Sequence, residues 1–154
     1  MNQNRNFNLE NQVHIYFDAN SINESFARMV VAAFMSDMNP TLEQIGDVKT
    51  AVSEAVTNAI IHGYGTVEKE IPQVEMICIR KGNRLEITIS DQGVGMENVD
   101  QAMTPFYTTK REEERSGMGF AFMEAFMDEL KVESQKGKGT TVTMVKYING
   151  GDEQ

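Results

Sequence analysis

The chain has 154 residues, which is enough for one domain with a substantial apolar core but not for two. Its net charge of −9 argues against a nucleic-acid-binding face, because such a face needs clustered lysine and arginine side chains. A single cysteine, Cys78, excludes an internal disulfide and favours a reducing cytoplasm, and its apolar neighbours predict a buried thiol. No apolar run has the length of a signal peptide or a membrane span, so we expect a cytoplasmic protein.

The first part of the chain has the pattern of one strand followed by two helices. Alternating apolar and polar side chains indicate the strand, and two capping-box patterns indicate where the helices begin. The predicted elements are a flexible polar N-terminus over 1–12, a strand over Val13–Phe17, a helix from Ser21–Glu24 to about Asn39, and a helix from Thr41 and Gln44 to about His62.

The remainder has the pattern of two hairpins separated by a long loop and a helix. The predicted elements are strands over Val74–Arg80 and Leu85–Asp91, a loop from Asp91 to Gly119, a helix over Phe120–Leu130, strands over Lys131–Gln135 and Thr140–Tyr147, and an acidic tail over 149–154. The order βααββαββ predicts an α+β fold with a single domain over 13–148. In this fold, an α/β sandwich, helices cover one face of an antiparallel or mixed, mostly antiparallel sheet.

Three polar side chains share one face of the second predicted helix. Glu54, Asn58 and His62 follow one another at intervals of four residues, while the apolar residues lie on the side that packs on the sheet. A carboxylate one turn from a carboxamide can hold a magnesium ion and orient a nucleophile. The same spacing also occurs on solvated helix faces, so taken alone it leaves both interpretations open.

A glycine-containing turn, Asp91-Gln92-Gly93-Val94-Gly95, directly follows a predicted strand. Its glycines would let the backbone approach a flat ligand, and Asp91 could accept a hydrogen bond from an amino group such as that of adenine. The alternative is a tight turn closed by an aspartate side-chain hydrogen bond.

Two further segments have the composition of a phosphate site. Backbone N–H groups of Arg115-Ser116-Gly117-Met118-Gly119, just before a helix, would point at phosphate oxygens, although glycine there can also simply end a loop. The polar segment before it carries Lys110 and Arg111, and it is either a cationic lid over a triphosphate or an exposed loop. A hydroxyl of Gly139-Thr140-Thr141, where the last strand begins, could reach a purine edge.

The order of these motifs is more specific than any one of them. E-x-x-x-N on a helix, D-x-G-x-G after a strand, a loop, G-x-G before a helix and G-T-T at a strand start resemble the GHKL (Bergerat) ATP-binding fold of Hsp90, MutL, type II topoisomerases and histidine kinases. More narrowly, the segments SFARM, AVSEAVTNAIIHGY, FYTTK, ERSGMGF and FMDEL resemble anti-sigma factors of endospore-forming bacteria that are also protein serine kinases, a family related to RsbW. The resemblance covers residues 21–145.

The resemblance implies a role for each matching residue. Asn58 would be the magnesium ligand beside the ATP phosphates, and Glu54 would be the general base for the attacking serine hydroxyl. Asp91 would accept from the adenine amino group, with Gly93 and Gly95 against the purine. Lys110, Arg115, Gly117 and Gly119 would lie at the phosphates, and Thr140 would lie at the adenine. Thr108 is a further implied nucleotide-binding residue.

The resemblance also implies an activity and partners. Arg28, in SFARM, matches the surface arginine that meets both the sigma factor and the anti-anti-sigma factor. We expect a homodimer that needs ATP and Mg²⁺, holds a sporulation-type sigma factor inactive, and phosphorylates a serine of a small anti-anti-sigma protein. The alternatives are a nucleotide-gated binding module without kinase activity, a paralogue acting on a stress sigma factor, and the catalytic half of a histidine kinase. The last is disfavoured because no phosphoacceptor helix pair is present in the sequence.

Overall fold

The computed structural model describes residues 10–63, 72–103 and 119–148. Within these ranges the strands are β1 (Glu10–Asp18), β2 (Gln73–Lys81), β3 (Arg84–Asp91), β4 (Glu129–Gln135) and β5 (Gly139–Tyr147). The helices are α1 (Ile22–Met35), α2 (Leu42–Asn58), the single turn α3 (Val99–Ala102) and α4 (Gly119–Phe126). A 3-10 turn (Ser36–Met38) follows α1, and a π-helical turn (Ala59–Gly63) follows α2.

The five strands form one sheet in the order β1-β2-β3-β5-β4, and all four pairings are antiparallel. Every second side chain of β3 is buried, from Leu85 through Ile87 and Ile89 to Asp91. Leu85, Ile87 and Ile89 belong to a core shared with α1, α2 and α4, while the intervening residues of β3 are only partly covered. The α+β sandwich is therefore confirmed, and of the two predicted sheet types the antiparallel one occurs.

Helix α2 lies at the centre of the helical layer and packs on both α1 and α4. It begins with the predicted capping box, because Thr41 Oγ1 accepts from the Gln44 N–H at 3.1 Å and Gln44 Oε1 accepts from the Thr41 N–H at 3.0 Å. Its inner face buries Val48, Val52 and Val56 completely. Each such side chain contributes about 1.5–3 kcal/mol to folding, which anchors the helix that carries the polar face.

The predicted capping box at the start of α1 is wrong. Ser21 has helical backbone angles (φ −57°, ψ −25°), and its side chain makes no capping hydrogen bond. Asn20 takes this role instead, because its Oδ1 accepts from the Ile22 N–H at 3.0 Å. Asparagine and serine cap helices about equally well. The spacing between Ser21 and Glu24 therefore could not show that the capping residue is Asn20.

The last helix is shorter than predicted, since α4 ends at Phe126 and not at Leu130. Lys146 Nζ donates to the Phe126 carbonyl at 2.6 Å, and the Asp128 N–H donates to the Val145 carbonyl at 2.8 Å. The residues after the helix thus pair with β5 as strand β4, in which Leu130 lies opposite Met144. Strand pairing in the folded protein overrides the helical spacing of the apolar residues. At the other end of the sheet, β1 begins at Glu10, three residues earlier than predicted.

Cys78 lies on β2 and is 1% exposed, which confirms the predicted buried thiol. Burial raises the pKa of this thiol to about 12, because the thiolate would lose its hydration. The residue is therefore an apolar core group at neutral pH. None of the helices in the described ranges has both the length and the apolar character needed to cross a membrane.

Candidate functional site

The polar face predicted on α2 lies against the first residue of α4. Glu54 and Asn58 are both half-buried on α2, and Gly119 is buried at the start of α4. An ideal Cβ on Gly119 would lie 3.0 Å from Asn58 Nδ2, 3.3 Å from Asn58 Oδ1 and 3.4 Å from Glu54 Oε2. The structure therefore brings these three predicted site residues together, with the α4 backbone close to a carboxylate and a carboxamide.

The predicted turn after β3 is present and is organised by Asp91. This residue ends β3 and is 8% exposed, and its Oδ1 accepts from the Gly93 N–H at 2.9 Å. A buried carboxylate needs such partners, because burying a charge without hydrogen bonds is costly. The aspartate turn weighed in the sequence analysis thus occurs. A carboxylate can accept about four hydrogen bonds, so the turn bond is compatible with a ligand bond.

Two glycines allow this turn to approach the β4–β5 hairpin. Gly95 has φ +70°, and a Cβ on it would overlap the Gln135 carbonyl oxygen. Gly139 has φ +103°, and a Cβ on it would overlap the Asp91 carbonyl oxygen. The steric need for glycine at 95 therefore comes from the hairpin. The contact of Gly93 and Gly95 with a purine stays a prediction.

Thr140 lies directly across from Asp91 in the β3–β5 pairing and is half-buried. Its Oγ1 lies 2.8 Å from Ser134 Oγ on β4. The π-helical turn that follows Asn58 contacts both β3 and β5. The end of α2 thus lies on the two strands that carry Asp91 and Thr140, and the described parts of the predicted site converge on one region.

Sequence reasoning missed Ser134. Its hydroxyl contacts Thr140 and also accepts from the Met96 N–H at 2.7 Å, so it joins the hairpin to the turn. The available signal was weak: Ser134 shares the alternating face of Leu130 and Val132, where a small polar residue interrupts an apolar row.

Part of the predicted site lies outside the described residues. Thr108, Lys110, Arg115 and Gly117 belong to this part, and with them the predicted lid. The same holds for the side chain of His62. Their roles therefore stay predictions.

Arg28 lies on α1, whereas Glu54 and Asn58 lie on α2 and Gly119 lies on α4. Arg28 is half-buried, and its Nε donates to Glu24 Oε2 at 2.6 Å in an ion pair one helical turn apart. Arg28 also lines an open groove between α1 and α2, with a volume of about 380 Å³, together with Gly46 and Lys49 of α2. Among the described residues that line the groove, Arg28 and Lys49 carry positive charge, and Arg28 is paired with Glu24.

Comparison with known proteins places this geometry in a class. A family model described as histidine kinase-like ATPase domain matches residues 17–146, which include both the α2 cluster and the turn after β3. The RsbU and RsbW domains of a Mycobacterium tuberculosis protein, a solved structure, superpose with a TM-score of 0.61 at 22% identity. That match covers 90% of this chain, which spans about a third (32%) of that structure. The class is therefore that of the histidine kinase-like ATPases, and the predicted GHKL fold is confirmed.

Curated relatives narrow the class further. Anti-sigma F factor of Thermoanaerobacter sp. (strain X514) is 53% identical over 143 residues, covering 93% of this chain and 97% of the relative. The proteins of the same name from Clostridium acetobutylicum and Geobacillus thermodenitrificans are 54% and 49% identical, over 90% and 91% of this chain and 94% of each relative. The chain belongs to the histidine kinase-like ATPase family and, within it, to the family of the anti-sigma F factors.

Proposed function

We propose that this protein binds a sigma factor of the sigma F type and keeps it inactive, and that it phosphorylates a serine of an anti-anti-sigma protein of the SpoIIAA type. The observation that carries the proposal is the identity of about half of all residues with proteins named anti-sigma F factor, along nearly the whole of both chains. The convergence of Glu54, Asn58 and Gly119 supports the kinase part, since it supplies polar groups beside a helix start.

ATP and Mg²⁺ are the proposed nucleotide and metal, and the residues present fit them. Magnesium prefers oxygen ligands and is usually held by one or two protein oxygens together with substrate phosphates. Asn58 Oδ1 is one such oxygen, and the closely packed Gly119 leaves room beside it that a side chain would fill. At the other end of the site, Asp91 and Thr140 supply acceptor oxygens on neighbouring strands for the adenine amino group.

Phosphoryl transfer requires mainly positioning and charge neutralisation. When bound, ATP would supply the γ-phosphoryl group, and Mg²⁺ would neutralise the charge that develops on the phosphate oxygens. Asn58 would orient the metal, and Glu54 would accept the proton of the attacking serine hydroxyl as general base. No covalent enzyme intermediate is required, and Cys78 is buried away from this role.

A second candidate is a nucleotide-gated sigma-binding module without kinase activity. One observation favours it: Glu54 is already engaged in an interaction within the structure, as a purely structural carboxylate would be. In that case Asn58 would still bind the nucleotide, while Glu54 would hold the helix surface in shape. A paralogue acting on a stress sigma factor would keep the same site and differ only in its partner.

Phosphate transfer distinguishes these candidates. Wild type and Glu54→Gln are incubated with γ-labelled ATP, Mg²⁺ and the candidate anti-anti-sigma protein, and label on serine is measured. We expect label with wild type and a loss of about 10²–10⁴-fold in rate with Glu54→Gln, with ATP binding retained. Equal rates would remove Glu54 from the base role. No label with either variant, with ATP still bound, would establish the binding module.

Arg28 is the proposed partner-binding residue, and the groove beside it supports this role. Leu42, one of the groove residues, is 88% exposed and would gain from burial against a partner. The cations Arg28 and Lys49 suit an acidic partner segment. A homodimer is part of the same proposal and rests on the family resemblance.

A further inference from the structure

The turn after β3 is tied to the β4–β5 hairpin at consecutive points. The Met96 N–H donates to Ser134 Oγ at 2.7 Å, and the Gly137 N–H donates to the Val94 carbonyl at 2.6 Å. Between these bonds, Gly95 packs directly on the backbone of the hairpin. Of these two bonds, the first uses a side chain, that of Ser134. An exposed ion pair from Lys136 Nζ to Glu97 Oε1, at 3.1 Å, also joins the two segments.

The hydroxyl of Ser134 has three neighbours, and its hydrogen-bonding capacity decides the role of each. A hydroxyl donates one hydrogen bond and accepts two. Ser134 Oγ lies 3.1 Å from the Gly139 carbonyl, which can only accept, and it receives the Met96 N–H. Its one proton therefore goes to Gly139. The third neighbour, Thr140 Oγ1, lies at 2.8 Å in a pair in which either hydroxyl can donate, and donation from Ser134 to Gly139 leaves the donor role to Thr140.

This arrangement has a consequence for Thr140. Once its hydroxyl proton is directed to Ser134, the oxygen of Thr140 can only accept hydrogen bonds from a ligand. Asp91, directly opposite in the sheet, is a buried carboxylate that also accepts. Two neighbouring acceptors suit the 6-amino group of adenine, and they oppose the 6-oxo group of guanine, which is itself an acceptor.

We propose that Ser134 is a positioning residue with two effects: it fastens the turn after β3 to the hairpin, and it fixes Thr140 as an acceptor, so that the site selects adenine over guanine. The selection part rests on the proposed ATP-binding function; the fastening part does not. Ser134 acts through its contacts with Met96 and Thr140.

The test combines nucleotide titration with amide exchange. Affinities for ATP and GTP with Mg²⁺ are measured by calorimetry for wild type, Ser134→Ala, Ser134→Thr and Ser90→Ala, and exchange of the Met96 amide is measured without nucleotide. Ser90 is the matched control, because its Oγ lies 3.1 Å from Thr141 Oγ1 in a hydroxyl pair between β3 and β5, one residue along from Asp91 and Thr140.

For Ser134→Ala we expect faster exchange at Met96, about tenfold weaker ATP binding, and a smaller preference for ATP over GTP. Ser134→Thr keeps the hydroxyl and should restore the wild-type preference, and Ser90→Ala should leave all three readouts unchanged. A merely structural defect would weaken the binding of ATP and GTP by the same factor. An unchanged preference for ATP over GTP would therefore overturn the selection part.

Two other outcomes are also decisive. If the Met96 amide of Ser134→Ala exchanges at the wild-type rate, the fastening part is overturned. Wild-type protein that binds neither nucleotide would overturn the proposed function and, with it, adenine selection, while the exchange measurement would still decide on the fastening. Thermal melting of each variant confirms that the comparison is made on folded protein.

Discussion

Gly119 at the first residue of α4 lies so close to Asn58 on α2 that a single methyl group would come within 3.0 Å of the Asn58 amide nitrogen. The two helices are thus in close contact at the proposed metal ligand. Contacts this short are tighter than nine in ten real Cβ contacts, so a side chain at 119 requires the Asn58 carboxamide to shift by a few tenths of an ångström. Glycine here is explained by the site.

We expect Gly119→Ala to weaken magnesium-dependent ATP binding about tenfold, because the added Cβ would displace Asn58 from its present position. The measurement is ATP titration with and without Mg²⁺. Gly46→Ala is the matched control, since a Cβ at 46 meets nothing within 4 Å. Gly46→Ala should leave ATP affinity unchanged and raise the free energy of unfolding by about 0.5–1 kcal/mol. Equal ATP affinity in both variants would contradict the explanation of Gly119.

Asn58→Ala should abolish magnesium-dependent ATP binding, because it removes the oxygen proposed as the protein ligand of the metal. Asn58 is half-buried at the end of α2, so the truncation should cost little stability compared with a core residue. Calorimetric titration of ATP at several Mg²⁺ concentrations checks the effect. Normal affinity with normal Mg²⁺ dependence would remove Asn58 from the metal role.

Arg28→Ala should weaken binding of the sigma factor and of the anti-anti-sigma protein by about tenfold or more, as expected when an interface arginine is truncated. Its partly exposed ion pair with Glu24 contributes only about 0.5 kcal/mol or less to folding, so stability should hardly change. Lys131→Ala is the control, since it likewise removes a cation from an ion pair, in this case the exposed pair with Glu133. If ATP affinity falls and partner binding does not, Arg28 belongs to the nucleotide site.

Cys78 should make stability depend on alkaline pH. Burial raises the pKa of this thiol from an ordinary value of 9.0 to about 12. Between pH 9 and about 12, the folded protein therefore keeps a proton that the unfolded chain releases, so the free energy of unfolding falls as pH rises through this window. Urea unfolding of wild type and Cys78→Ala at pH 8, 10 and 11 measures the slopes. A steeper decline for wild type is expected, and identical slopes would contradict it.

Local features of the site could be predicted from the sequence. The spacing of Glu54 and Asn58 puts them on one face of a helix, whatever that helix packs against. The hydrogen bond from the Gly93 N–H to the Asp91 side chain involves only residues 91–93. The capping box at Thr41 is equally local. For such features, the pattern alone defines the geometry.

Features that depend on packing between distant segments could not be predicted. The contact of Gly119 with Asn58 exists only because α4 packs on α2. The residue pattern of neither segment indicates the other, and only the family resemblance placed both residues at the phosphates. Ser134 acquires its role from the register of β4 against β5, which sets it beside Thr140. Likewise, the end of α4 is decided by the bond from Lys146 to Phe126, so the predicted extension to Leu130 failed.

The position of β5 in the sheet has a consequence for how the protein is made. This strand follows all the other strands in sequence but is inserted between β3 and β4. Until the ribosome has released it, β3 has an unpaired edge, and Asp91 lacks its neighbour Thr140. The proposed adenine site is therefore complete only after β5 has left the ribosome, and we expect a nascent chain that has not yet released β5 to lack the nucleotide affinity of the folded domain.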